Sequence, residues 1–142
     1  MFKVEVVEVT KVVQHPERDG LTVNTLSNGA IAVSNLTENE APRYIVGDLV
    51  VHVPETALVP EWLLKRQDCW DISKNKGTLA GGKGNRVKNR KFGEIISDGM
   101  LVAGKQVIVN GPELLISNDT EQKSFVKGDN IKDFFGIEEW IG

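Results

Sequence analysis

Apolar and polar positions alternate with a period of two from the start of the chain. Phe2, Val4 and Val6 stand against Lys3 and Glu5, the pattern of a half-buried strand. Val7 and Val9 continue the alternation in the opposite phase, which predicts a β-bulge bending the strand where a small barrel closes. Val12 and Val13 extend the element to His15-Pro16, and Pro16-Glu17-Arg18-Asp19-Gly20 reads as a turn. Leu21, Val23 and Thr25 open a second strand. Ser27-Asn28-Gly29 then turns it into Ala30 to Val33, and Asn-Gly between two β-prone runs is a hairpin signal. Residues 34–43 are polar and loop-like. Leu49 to Val53 is a near-continuous apolar run, as expected of a central strand.

The period changes at Pro60-Glu61-Trp62-Leu63-Leu64-Lys65-Arg66. A proline at the start, an acid in the first turn and bases in the last predict a short helix, which would plug a barrel end with Trp62 or Leu63. Residues 71–85 hold four glycines and few apolar groups, so a mobile surface loop is expected. Gln106 to Val109 and Leu114 to Ile116 suggest a hairpin around Asn110-Gly111-Pro112. Ile131, Phe134 and Phe135 recur at i, i+3 and i+4, a short helical docking face, and Trp140 is expected to pack with them against the barrel. About six short strands with turn signals, two short helices and no βαβ alternation point to an all-β fold with minor α content. The expected architecture is a small OB-like Greek-key β-barrel, with a sandwich as the second choice.

The length of 142 residues fits a single OB-like domain over 1–142, carrying the glycine-rich loop at 71–85. No apolar run reaches the roughly 20 residues that span a bilayer, the N-terminus has no secretory h-region, and the one cysteine, Cys69, suits a reducing compartment. A cytoplasmic protein with no membrane association is expected.

Charge sharpens the picture. The net of −3 hides a separation: residues 65–91 hold nine Lys or Arg (Lys65, Arg66, Lys74, Lys76, Lys83, Arg86, Lys88, Arg90, Lys91) against Asp68 and Asp71, a net of +7. The other 115 residues carry eight basic and 18 acidic groups, a net of −10. A local positive field beside a negative body can attract a polyanion; the plainer reading is a solvated basic loop that aids solubility. From Arg86 to Phe92 charge alternates with other side chains. An extended strand there puts Arg86, Lys88 and Arg90 on one face and Val87, Asn89 and Lys91 on the other. Ile95, Ile96, Met100, Leu101 and Val102 follow as a core-bound run interrupted by the turn former Ser97-Asp98-Gly99.

Several segments together resemble the N-terminal OB domain of Deinococcus-type ATP-dependent RNA ligases. They are Val46-Gly47-Asp48-Leu49-Val50-Val51 with Pro60-Glu61-Trp62, then Arg86-Val87-Lys88 through Phe92-Gly93-Glu94-Ile95-Ile96-Ser97-Asp98-Gly99-Met100-Leu101, and finally Lys127-Gly128-Asp129-Asn130-Ile131 to Phe135-Gly136-Ile137. A weaker likeness, carried by His15-Pro16-Glu17-Arg18-Asp19-Gly20-Leu21 and Ser97-Asp98-Gly99-Met100, runs to the tRNA-binding OB domain of some aminoacyl-tRNA synthetases. Both resemblances imply an OB fold that contacts RNA.

Catalytic motifs are missing. A ligase needs a nucleophilic lysine in Lys-x-Asp-Gly or a close variant. Lys127-Gly128-Asp129-Asn130 has the wrong order, Ser97-Asp98-Gly99 lacks the lysine, and the likeness stops where the family's nucleotidyltransferase domain would begin. Gly77 to Lys83 fits seven positions of a P-loop, but Gly84 replaces the Mg²⁺-binding hydroxyl. His15 and His52 read as hydrogen-bonded structural residues without metal-ligand spacing. Cys69, beside Asp68, has a thiol shifted away from reactivity. No enzyme activity of this polypeptide, no cofactor and no metal are expected. The sequence supports a nucleic-acid-binding module for RNA or single-stranded nucleic acid. Lys74, Lys76, Lys83, Arg86, Lys88, Arg90 and Lys91 would meet phosphates, and Trp70 and Phe92 would stack on bases. The alternative is a protein-interaction module whose basic strand or acidic tail docks on a partner, such as a separate catalytic subunit or a host protein.

Overall fold

The computed structural model describes residues 2–108 and 112–142. Strands β1 (Glu5–Gln14), β2 (Leu21–Leu26), β3 (Ile31–Asn35) and β4 (Leu49–Val53) are followed by β5 (Ala57–Leu58) and helix α1 (Glu61–Arg66). Next come β6 (Trp70–Asp71), β7 (Lys76–Gly77), β8 (Arg90–Phe92), β9 (Ile95–Ser97), β10 (Met100–Ala103), β11 (Lys105–Ile108), β12 (Pro112–Ser117), β13 (Gln122–Phe125), α2 (Lys132–Phe135) and β14 (Glu138–Glu139). The chain is all-β with two short helices, an OB-like small barrel built on a curled five-stranded sheet of order β10-β4-β1-β2-β3.

The long first strand curls the sheet. Its first half pairs with β4 (Val6 with Val51), its second half with β2 (Val13 with Val23), and a bulge lies between Val9 and Lys11. One extra residue on one strand raises the local twist and bends it. The phase flip at Val6-Val7 has a different origin from the expected bulge. Val4 and Val6 enter one core while Val7 and Val9 enter another, so this part of β1 is covered on both faces.

The inner core, inside the curl, holds Val7, Val9, Leu26, Ala32 and Val50. The outer core holds Val6, Leu49, Val51, Val53, Leu63, Leu64, Leu114, Ile131 and Phe135. β4, central as expected, is buried along its whole length because it serves both. Helix α1 forms where predicted, with Pro60 at the residue before its first turn, but it does not plug the barrel. Leu63 belongs to the outer core, and Trp62 meets Phe135 edge to face at 5.7 Å. α2 docks through Ile131 and Phe135 as its spacing predicts, and ends at Gly136 in the left-handed conformation (φ 72°) that favours glycine. The hairpin expected around Asn110-Gly111 has paired flanks, Ile108 opposite Pro112; Val109 to Gly111 lie outside the described residues.

The barrel closes through two side chains and one backbone hydrogen bond. The Ser97 hydroxyl accepts the Val33 N–H at 2.9 Å, the Asp98 carboxylate accepts the Ile31 N–H at 3.0 Å, and the Asp98 N–H donates to the Ile31 carbonyl at 2.7 Å. β9 thus follows β3, while β10 leaves Gly99 along β4. The two strands diverge from the Asp98 turn, and the wedge between them stays open. Both histidines are structural. His52 contacts the Asp98 carbonyl through Nε2 (2.8 Å) and the Asn28 amide through Nδ1 (3.1 Å). His15 accepts the Glu17 N–H at Nδ1 (3.0 Å), so its Nε2–H donates to the Phe92 carbonyl (2.7 Å) and ties the β8–β9 hairpin to the first turn. No helix among the described residues is long and apolar enough to cross a membrane.

Candidate nucleic-acid interface

The stretch from Arg86 to Phe92 is not one strand. Arg86 bridges Leu58 and Ala80, Val87 hydrogen-bonds Ala57 and Thr56, and regular pairing resumes only at Arg90–Phe92, opposite Ile95–Ser97. Asn89 is held at both ends: its N–H donates to the Glu55 carboxylate (3.1 Å), and its side-chain oxygen accepts the Gly99 N–H (2.8 Å). These anchors break the single charged face expected of a continuous strand. Ile96, expected in the core, is 54% exposed on the two-stranded β8–β9 ribbon, opposite the exposed Lys91.

Four of the nine basic residues of 65–91 line two recesses. The first is the open wedge, a groove of about 350 Å³ lined by Lys88, Arg90 and Phe92 from the basic segment and by Ser34, Arg43 and Tyr44 from the strand and loop facing it. The Arg90 guanidinium lies 5.4 Å from the Phe92 ring centroid. The second, about 390 Å³, is lined by Trp70, Lys76 and Lys83. Lys74 and Lys91 are exposed and line neither. Arg86 lies outside both, its guanidinium 4.1 Å from the Trp140 ring centroid.

Charge pairing separates the nine basic residues further. Lys65 pairs with Glu61 at 2.9 Å, and Arg66 donates to the carbonyls of Ser117 (2.8 Å) and Asn118 (3.3 Å). The other seven have no carboxylate partner within 4.0 Å among the described residues. Unpaired cations beside a recess leave an uncompensated positive potential there.

Residues 71–85 carry the β6–β7 ladder, with Trp70 opposite Gly77. The chain folds back so closely that a Cβ at Gly77 would collide with the Gly84 carbonyl, and one at Gly84 with Gly77. Gly77 N–H donates to the Lys83 carbonyl and Leu79 N–H to the Gly84 carbonyl. The Gly77, Thr78, Leu79 and Ala80 amides of the P-loop-like run are thus engaged by carbonyls, and no helix follows the run to face a phosphate.

Sequence reasoning missed Arg43, Tyr44 and Ser34. The available signal was Pro42-Arg43-Tyr44, which sets the chain's one tyrosine and a cation at the end of an acidic loop. Burial raises the Tyr44 phenol above its ordinary pKa, with Asp48 adding to the shift and Arg43 opposing it. Behind Ser34 lies a polar ladder inside the curl. Asn24 donates to the Ala32 carbonyl and to the Ser34 hydroxyl, both at 2.9 Å, and Thr22 lies 3.0 Å from the same hydroxyl. The Asn24 side-chain oxygen is buried without a partner among the described residues. Cys69 also borders the wedge; burial, with help from Asp68, raises its thiol pKa against a hydrogen bond to Thr78. Among the described residues no group of three or more His, Cys, Asp or Glu could hold a metal ion.

No family model matches the chain, and no curated protein matches it. Solved structures do. The fold is similar to RNA ligase from Naegleria gruberi: to a lysine-to-methionine mutant with AMP and Mn (TM-score 0.59, 14% identity, 96% of this chain and 34% of the ligase). A glutamate-to-alanine mutant with ATP and Mn aligns with TM-score 0.62 and 12% identity, over 100% of this chain and 36% of the ligase. The ligase with PPi gives TM-score 0.58 and 12% identity over the same shares. The chain thus spans about a third of the length of these ligases, and the likeness is one of fold.

Proposed function

We propose that residues 1–142 form a single non-catalytic OB-like domain, related to the N-terminal domain of Deinococcus-type RNA ligases, that binds RNA or single-stranded nucleic acid. The observation that carries this reading is the set of seven cations without carboxylate partners among the described residues, two of which, Lys88 and Arg90, border the open wedge together with Arg43, Tyr44 and Phe92. Cations meet phosphates without regard to sequence, and aromatic faces take bases of any kind. Such a surface binds with strong salt dependence and weak sequence preference. The ligase fold of the neighbours agrees with this role, and the missing Lys-x-Asp-Gly motif agrees with a module that supplies binding and leaves adenylation to another domain.

The test is a salt titration of single-stranded RNA binding to the intact chain and to the Lys88→Glu/Arg90→Glu variant. The expected result is a steep negative slope of log affinity against log salt, shallower by roughly 1.4 for two lost single-strand contacts, with loss of retention at low salt in the variant. Unchanged retention would reject this surface.

A second reading, protein docking, gains from one observation. Trp140, expected to pack on the barrel, is 44% exposed and adjoins Ile141 at 93%. A salt slope near zero would favour it.

A further inference from the structure

The wedge between β9 and β10 is narrower in purpose than a general phosphate track. We propose that it takes one unpaired nucleobase, whose edge meets the Ser34 and Tyr44 hydroxyls while its phosphates meet Lys88, Arg90 and Arg43. This rests on the nucleic-acid reading above and names the ligand feature that reading leaves open.

Three observations converge. The first is shape: the strands part from the Asp98 turn and leave a recess about 350 Å³ in size, walled by β3, the β8–β9 ribbon and the start of β10. A base still stacked and paired in a duplex cannot enter such a recess; an extruded or single-stranded one can. The second is layout. Cations border the wedge together with two aromatic rings, Tyr44 and Phe92, so backbone and base have separate partners.

The third is the polar ladder behind it. A barrel interior is ordinarily filled with apolar side chains, and buried polar groups cost stability unless bonded. Here Thr22, Asn24 and Ser34 stack inside the curl, and one Asn24 oxygen is left without a partner among the described residues. The ladder serves Ser34. Its oxygen accepts the Asn24 amide, which fixes the hydroxyl's position on the wall of the wedge, and its own proton is left for Thr22 or for a ligand. The Tyr44 hydroxyl, on the same groove, makes no hydrogen bond within the described residues. Two hydroxyl-bearing residues on the lining of one recess are suited to a base edge, which presents both donors and acceptors.

The test compares three RNAs of one sequence: a single strand, a blunt duplex, and a duplex with one bulged 2-aminopurine. The intact chain should bind the single strand and the bulged duplex about tenfold or more tighter than the blunt duplex, and should change the 2-aminopurine fluorescence on binding. Phe92→Leu should abolish that preference and that fluorescence change while keeping the salt slope. Tyr44→Phe and Ser34→Ala, which keep ring or backbone geometry, should alter the ranking of the four homopolymers. Circular dichroism melts confirm that each variant folds. Equal affinity for blunt and bulged duplexes, with Lys88 and Arg90 still required, would overturn the base pocket and leave the nucleic-acid reading standing. No salt-dependent binding of any RNA would overturn both.

Discussion

Arg86 lays its guanidinium 4.1 Å from the ring centroid of Trp140, so a cation from the basic stretch is spent on the chain's last aromatic residue. The contact also fastens the tail: Trp140 N–H donates to the Thr56 carbonyl, and Glu138 and Glu139 pair with Leu58 and Ala57 beside the Arg86 bridge. Arg86 therefore helps hold the tail in place, a structural task that Lys88 and Arg90, two and four positions on and lining the wedge, do not share.

Trp140→Ala should cost about 0.5–1 kcal/mol, the usual worth of an exposed cation–π pair. It should not weaken RNA retention, since the guanidinium keeps its charge and loses only the ring that covers it. Urea unfolding and a filter-binding assay on the same variant check both halves. A loss of retention with unchanged stability would mean that Trp140 itself stacks on the ligand.

The barrel closure makes a second prediction. Asp98 and Ser97 replace a strand ladder with side-chain acceptors for the Ile31 and Val33 amides. Asp98→Ala leaves a partly buried N–H unpaired and should destabilise the fold by about 1–3 kcal/mol. Asp98→Asn, which keeps an oxygen acceptor, should cost less. Hydrogen exchange at Ile31 should rise in the alanine variant and the wedge should widen; unaltered exchange at that amide would show that β3 is closed by something else.

Much of the scaffold was legible in the sequence for local reasons. The Asn28-Gly29 hairpin, the buried run of β4, α1 and the Ile131-Phe135 face each follow from a period or a turn residue that acts over a few positions. The errors share a cause, which is tertiary pairing. Val6 and Val7 looked like a bulge because one strand serving two cores mimics a change of phase. Arg86 to Phe92 alternates like a strand, yet its first residues pair with Leu58 and Ala80 and its last with β9. Neither partner can be read from the segment itself.

The site was legible only in part. Clustered charge located the basic residues, but Arg43, Tyr44 and Ser34 reach the wedge from a loop and a strand more than forty positions upstream of Lys88. Proximity of that kind comes from the curl of β1, and a period-two pattern does not encode which loop lands opposite which strand. Trp140 was misplaced for a similar reason: apolar spacing suggested packing, and an arginine far away in sequence covers it instead.

Cys69 offers a probe of the wedge that needs no ligand assay. Its thiol is half-buried, lines the groove with Lys88 and Arg90, and is held protonated mainly by burial, with a smaller contribution from Asp68. Only the thiolate attacks an alkylating reagent, so iodoacetamide should react slowly at neutral pH. The rate should climb only as the pH passes above the ordinary thiol range. The sign for stability follows: the native state holds this proton more tightly than the unfolded chain, so the contribution is intact below the unfolded pKa and is lost as pH rises through the folded one. Cys69→Ser should flatten that alkaline decline. Single-stranded RNA, seated in the wedge, should slow the alkylation further at a fixed pH, whereas high salt should restore the rate. Alkylation that is fast at neutral pH and indifferent to RNA would place Cys69 outside the occupied groove, and with it the binding surface proposed for this chain.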